Sequence, residues 1–193
     1  RVTVFSGSSL SDGMNAVQVL GQTNFTAASS STTQTGMQTA QGLAYDTSTN
    51  RLYVALQAQN RVLVFSGALL SYGMNATKVI GQANFTSSTS ATSQAGMITP
   101  YGITLSGSTT VFISQGTPNR VTSYDLSSGF SNGLNANHVL GQTDFVSSLL
   151  GNSQTGMNAP RGIVYDPTTK RLFVAQTTGD RISIYDLTNG ITS

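Results

Sequence analysis

The sequence predicts an all-β fold of four-stranded antiparallel sheets repeated along the chain, and three observations predict it. The first is a period. Arg-Val-Thr-Val-Phe-Ser-Gly begins at Arg1, and variants of it begin at Arg61, Arg120 and Arg181. Val-Leu-Gly-Gln or Val-Ile-Gly-Gln begins at Val19, Val79 and Val139, and a glycine-led apolar run begins at Gly42, Gly102 and Gly162. Spacings of about 60 residues mark one structural unit used repeatedly. The second observation is what fills the short apolar runs: Val, Ile, Leu, Phe and Tyr, which suit strands rather than helices. The third is polarity. Only 8% of the 193 residues are charged, and Glu, Cys and Trp are absent. That composition excludes a coiled coil, a disulfide scaffold, a thiolate metal site and a cysteine nucleophile.

Each unit holds four runs, lettered a to d: in one copy Gly42 to Asp46, Arg51 to Leu56, Arg61 to Gly67 and Thr77 to Gln82. Run a ends in turn-formers, Asp46-Thr47-Ser48-Thr49-Asn50 or Asp166-Pro167-Thr168-Thr169-Lys170, which fit a tight antiparallel hairpin into b. Runs b and c are apolar on both alternations, Leu52 and Val54 against Tyr53 and Ala55, Val62 and Val64 against Leu63 and Phe65. Both sheet faces are therefore expected to be buried. Run d is followed by a Ser/Thr-rich connector, Phe25 to Met37, Phe85 to Met97 and Phe145 to Met157, expected to be a surface loop into the next run a. A repeated four-stranded antiparallel sheet buried on both faces by its neighbours is a β-propeller blade. Residues 1–22 then hold strands c and d of a split blade, 41–82 and 101–142 hold whole blades, and 161–187 hold strands a, b and c of a second split blade.

Pro160-Arg161-Gly162-Ile163-Val164-Tyr165-Asp166-Pro167, with Arg171-Leu172-Phe173-Val174-Ala175 and Asp180-Arg181-Ile182-Ser183-Ile184-Tyr185-Asp186, resembles an NHL repeat. The Val-Leu-Gly-Gln-x-x-Phe element at Val19 to Phe25, Val79 to Phe85 and Val139 to Phe145 resembles a variant of secreted and surface-attached microbial NHL proteins. The likeness covers nearly the whole chain. It implies a propeller whose d-to-a and b-to-c loops gather on one face. That face would carry Gln41, Tyr101 and Arg161, which share one repeat position, with Gln59, Asn60, Asn119 and Asp180, and would take a glycan or protein ligand. One departure is Ser106, which stands where the other copies have Asp46 and Asp166, so those aspartates are read as turn-formers. The arginine opening each strand c is read as a structural donor to neighbouring backbone or acid.

Catalytic chemistry has few carriers. The single histidine, His138, stands where other copies have Gln18 and Lys78, and the acids are seven scattered aspartates. No catalytic residue, metal or cofactor is expected, and no Gly-x-Ser-x-Gly elbow is present. Nine Lys and Arg against seven acids give a net charge of +2 with no basic stripe, so nucleic acid is not an expected partner. No apolar run approaches the roughly 18 residues needed to insert into a membrane. Sequons at Asn24, Asn75 and Asn84 are glycosylation candidates, Asn24 and Asn84 foremost. With no cysteine and few charges they point to an extracellular or cell-surface protein. The opening at Arg1 is read as a processed, trimmed or incomplete chain.

The expected function is that of a non-enzymatic structural, adhesive or binding module. The alternative is an NHL-like lyase or hydrolase whose catalytic groups lie outside this segment. Strand counting sets the expected assembly: three strands each of a, b and d but four of c make about three blades, too few for a ring of four to eight. A six-bladed ring would be completed by a second copy through strand exchange or by missing blades of a longer parent. If the exchange does not close, the same contact propagates into a head-to-tail filament.

Overall fold

In the computed structural model, which describes residues 1–7, 9–68 and 70–191, thirteen strands form four antiparallel sheets. The first sheet pairs β1 (Val2–Val4) with β2 (Gln18–Leu20). The second is ordered β3 (Ala40–Asp46), β4 (Arg51–Leu56), β5 (Arg61–Ser66), β6 (Lys78–Ile80). The third repeats that order with β7 (Pro100–Ser106), β8 (Thr110–Gln115), β9 (Arg120–Asp125) and β10 (His138–Leu140). The fourth has three strands, β11 (Pro160–Asp166), β12 (Arg171–Gln176) and β13 (Arg181–Asp186). Consecutive strands pair with their neighbours throughout, as in propeller blades, and the described residues form an open series rather than a closed ring.

The hairpins follow from their turn residues. Asp46 accepts hydrogen bonds from the Ser48 amide (2.9 Å) and hydroxyl (2.7 Å) and from Thr49, and Asn50 then turns left-handed at φ 51°. Burial works to raise the Asp46 pKa, but the bonds from Thr49 and Ser48 outweigh it and hold the carboxyl below its ordinary value. Asp166 makes the same turn with Thr168 and Thr169, ending at Lys170, φ 53°. The copy with Ser106 has a shorter turn and places Gly107 at φ 62° instead, a conformation glycine adopts at no steric cost. Strand d is three residues long, against the six expected over Thr77 to Gln82, because Gly81 turns the chain at φ 86°.

Burial comes from stacking blade on blade. Tyr53, Ala55, Val62 and Val64 on one face of the second sheet pack with Ile103, Val111, Ile113 and Tyr124 of the third. The third repeats this against the fourth through Phe112, Val121, Leu172 and Val174. The first covers the second with Val2, Leu20 and Met37 against Val54, Leu63 and Phe65. At about 1.5–3 kcal/mol for each fully buried large apolar side chain, this stacking is the main stabilising term. Strands β3, β7 and β11 lie side by side at the inner edge. Glycine is required there, since a Cβ on Gly42 would collide with the Tyr101 carbonyl oxygen and one on Gly102 with that of Arg161.

The connectors run at the surface as expected, and the arginines opening strand c clamp them. The Arg61 side chain is wholly buried and donates to the carbonyls of Phe85, Thr33 (3.0 Å) and Gly36 (3.1 Å) and to Gln59 Oε1 (3.1 Å). Arg120 repeats the set on Phe145 (2.6 Å), Ser93 (3.2 Å), Gly96 (3.3 Å) and Gln115. Burial pushes the Arg61 guanidinium down to about 10, which leaves it a cation at neutral pH, neutralised by carbonyl dipoles alone. Gln82 adds a second clamp, bonding Asn60 O and Thr89 O (both 2.8 Å) while its own oxygen accepts from the Thr89 amide.

Candidate functional site

The corner between strands b and c and the entry to strand a meet at one end of the sheets. Asn60 sits left-handed at φ 48°, where its amide reaches the Ser88 carbonyl (3.1 Å) and its oxygen accepts from the Thr99 amide (3.0 Å) just before β7. Asn119 makes the matching bonds to Ser148 (3.2 Å) and Ala159 (3.0 Å). Gln59 is buried and holds Ser31, Thr32 and Arg61. These three residues lie at the expected end of the blades, but their polar groups are engaged inside the frame. A left-handed corner favours Asn and Asp, and that backbone need explains their recurrence there.

Gln41, Tyr101 and Arg161 are presented differently. Each occupies the second position of an inner strand, and the inner glycines bring those strands close enough for the side chains to meet. Gln41 Nε2 lies 3.5 Å from Gln57 Oε1, and Gln57 Nε2 donates to the Tyr101 hydroxyl at 3.1 Å. The Arg161 guanidinium stands over the Tyr101 ring, 4.6 Å from its centroid, an attraction of about 0.5–1 kcal/mol at an exposed site. The backbone beneath is fixed, because Ser114 Oγ donates to the Arg161 carbonyl (2.5 Å) and accepts from the Gly102 amide (2.8 Å). Gly116 leaves room for the ring, since a Cβ there would lie 2.6 Å from Tyr101 Cε2. Beside the pair is a 360 Å³ cavity lined by Tyr101, Thr117, Asn119, Asn158, Arg161 and Thr178 among others, with no acidic residue in its wall. Gln57 was not legible as a site residue: the matching corner positions are Gly116 and Thr177, so no repeat pattern singles it out. Asp180, φ 45°, is exposed at the last corner, and among the described residues its carboxylate has no hydrogen-bond donor.

His138 pairs in register with Ser123 and lines a second cavity, of 250 Å³, with Asp125, Asn137 and Tyr165. Among the described residues no group of three His, Cys, Asp or Glu converges on a point. No helix among them is long and apolar enough to cross a membrane. The sequon asparagines are exposed. Asn24 and Asn84 each close a turn by accepting from the residues two and three ahead, Thr26 and Ala27 or Thr86 and Ser87. Asp144 performs the same turn in the third copy.

No protein-family model matches the chain, and no curated protein matches it. Among solved structures it is similar to the Kuenenia stuttgartiensis hydrazine synthase, with a TM-score of 0.51 and 12% identity over 79% of this chain. The match spans 34% of that chain. A likeness at this identity concerns the fold alone.

Proposed function

We propose that this chain is part of an NHL-type β-propeller, extracellular or at the cell surface, that acts by binding rather than catalysis. It takes a carboxylated glycan on the face of Gln41, Gln57, Tyr101 and Arg161, and copies join through their exposed sheet faces. The observation that carries the reading is the Arg161–Tyr101 pair beside a cavity without acids. A guanidinium stacked on a ring keeps its edge donors free for bidentate contact with a carboxylate. The ring holds the guanidinium in place, and the two glutamine amides suit the hydroxyls of a sugar. Exposed sequons at Asn24, Asn75 and Asn84 support the location.

Titration calorimetry with an oligogalacturonate, and with a neutral oligogalactose as control, tests the ligand. Binding of the acidic oligomer alone is expected, weakened about 10- to 100-fold in Arg161→Ala, the loss of one charge-assisted contact. Equal binding of both sugars, no binding of either, or unchanged binding by Arg161→Ala and Tyr101→Ala would overturn it.

A further inference from the structure

Each blade is fastened to the next by one recurring set of contacts, and the two ends of the series each hold the half that the other lacks. Inside the chain an arginine opening strand c binds two carbonyls of the preceding connector and the carbonyl of the phenylalanine beyond its own strand d, as Arg61 binds Thr33, Gly36 and Phe85. Arg181 has the first half, Ser153 (3.1 Å) and Gly156 (2.9 Å), but its Nη1, which in Arg61 and Arg120 reaches the phenylalanine carbonyl, turns back onto Asn152 of its own connector, with Gly151 O 3.3 Å from Nη2. Arg1 has only the second, Phe25 (2.5 Å). Gln34 and Gln94 exchange two bonds each with Ala76 and Ala136. Among the described residues Gln154 and Ala16, at the corresponding positions, have no such bonds. Gln82 and Gln142 bind the corner carbonyls of Asn60 and Asn119, whereas Gln22 keeps only its loop contact with Ser29.

The sheet faces divide in the same way. Val62 and Val64 are wholly buried under the next blade, but their counterparts Ile182 and Ile184 are 65% and 59% exposed, with Val164 beside them at 57%. At the other end Leu43 and Tyr45 are exposed where their counterparts Ile103 and Leu105 are covered by a preceding blade. Gly162 points the same way. Gly42 and Gly102 each face a carbonyl of the adjacent inner strand, but a Cβ on Gly162 would meet only Ala175 Cβ, at an ordinary 3.6 Å.

We propose that a second copy of this chain supplies the missing half, and that its β2 pairs with the free edge of β13, displacing its own β1, so that β11, β12 and β13 of one copy and β2 of the other make one blade. This rests on the self-association in the proposed function and specifies its geometry. The register follows from β5 and β6, where Val62, Leu63 and Val64 face Ile80, Val79 and Lys78. Ile182, Ser183 and Ile184 therefore face Leu20, Val19 and Gln18 of the second copy. Arg181 Nη1 exchanges the Asn152 carbonyl for that of Phe25 and so replaces Arg1 there, Gln154 meets Ala16, and Gly162 faces Gln41. Asp180, which keeps only the accepting half of the asparagine pair, receives the Thr39 amide.

Strand β13 keeps its slot because it holds six paired positions with β12, whereas β1 holds three with β2. Done twice about a two-fold axis, the exchange fuses four part-blades into two and joins them to four whole blades, a ring within the usual four to eight.

Light scattering of the chain, of Gly162→Ala and of the Val19→Cys/Ser183→Cys variant is the test. The chain itself should reach the mass of two copies. Gly162→Ala should keep its circular dichroism and, in solution dilute enough that both chains are monomeric, its melting temperature, since nothing among the described residues of one copy opposes the methyl, yet associate at least about 100-fold more weakly because the methyl overpacks the joint. Mild oxidation of the double-cysteine variant should give a covalent dimer. Association that survives Gly162→Ala with no covalent dimer overturns the exchange and leaves self-association standing. A monomer at every concentration overturns both. A covalent product whose mass grows past two copies keeps the exchange and overturns the closed ring.

Discussion

Arg61→Met is expected to destabilise the chain by about 2–4 kcal/mol, the scale for losing several charge-assisted hydrogen bonds to main-chain carbonyls. Methionine fills the channel with a flexible apolar chain, so packing changes little. What is lost is four hydrogen bonds, and the carbonyls of Thr33, Gly36 and Phe85 are left without a donor among the described residues. The Gly36 carbonyl is a buried orphan, which costs about 1–3 kcal/mol, while the exposed Thr33 and half-buried Phe85 carbonyls cost less because water can replace the lost donor. Against a domain stability of about 5–15 kcal/mol this is a large fraction. Urea unfolding measures it, with Arg1→Met as the control: Arg1 is exposed and makes a single side-chain bond, so its loss should stay within about 0.5 kcal/mol. Equal effects from the two variants would show that the connector clamp contributes nothing.

The second large effect is expected at the inner edge. Gly102→Val places a branched side chain against the Arg161 carbonyl and within 3.1 Å of the Ile163 amide nitrogen. Backbone of a packed strand cannot swing aside as a flexible side chain can, so the blades must part. Overpacking of this kind costs about 1–3 kcal/mol or more, and strand separation adds lost burial of Phe112 against Leu172 and Val174. The result should be a melting temperature lower by at least about 8 °C, using the size scaling of unfolding entropy. It should also carry Arg161 away from Tyr101, so a surviving fold would bind the acidic oligomer poorly. A Gly102→Val chain with wild-type melting would contradict the close approach of β7 and β11.

Much of this architecture is legible in the residues and some of it is not, for physical reasons. Strand b, Arg51–Leu56, is read to the residue because a run apolar on both alternations, bounded by turn-formers, has few other solutions. Strand d reads too long because Val79-Ile80-Gly81-Gln82 looks extended, while the positive φ of Gly81 is a backbone event with no side-chain signature. The connectors look like passive loops because the bonds that order them run from Arg61, Arg120 and Gln82 to main-chain carbonyls, and carbonyls are the same at every residue. At the candidate site the sequence places Gln41, Tyr101 and Arg161 together through their shared repeat position, and the structure brings them into one row with Gln57 added. Gln59, Asn60 and Asn119 lie at the same end, yet their amides face inward. Polarity in a loop marks exposure only when the backbone around it needs no donor, and here it needs several.

Joining of blades through the corner residue and the following inner strand is tested most directly by amide hydrogen exchange at three equivalent positions, Thr39, Thr99 and Ala159. The Thr99 and Ala159 amides are held by Asn60 and Asn119, so they should exchange slowly at every concentration. The Thr39 amide, which has no acceptor among the described residues of a single copy, should exchange quickly in dilute solution. It should become protected as the chain associates and Asp180 of the other copy reaches it. Thr99 and Ala159 amides that exchange as fast as Thr39 in the dilute chain would contradict the account.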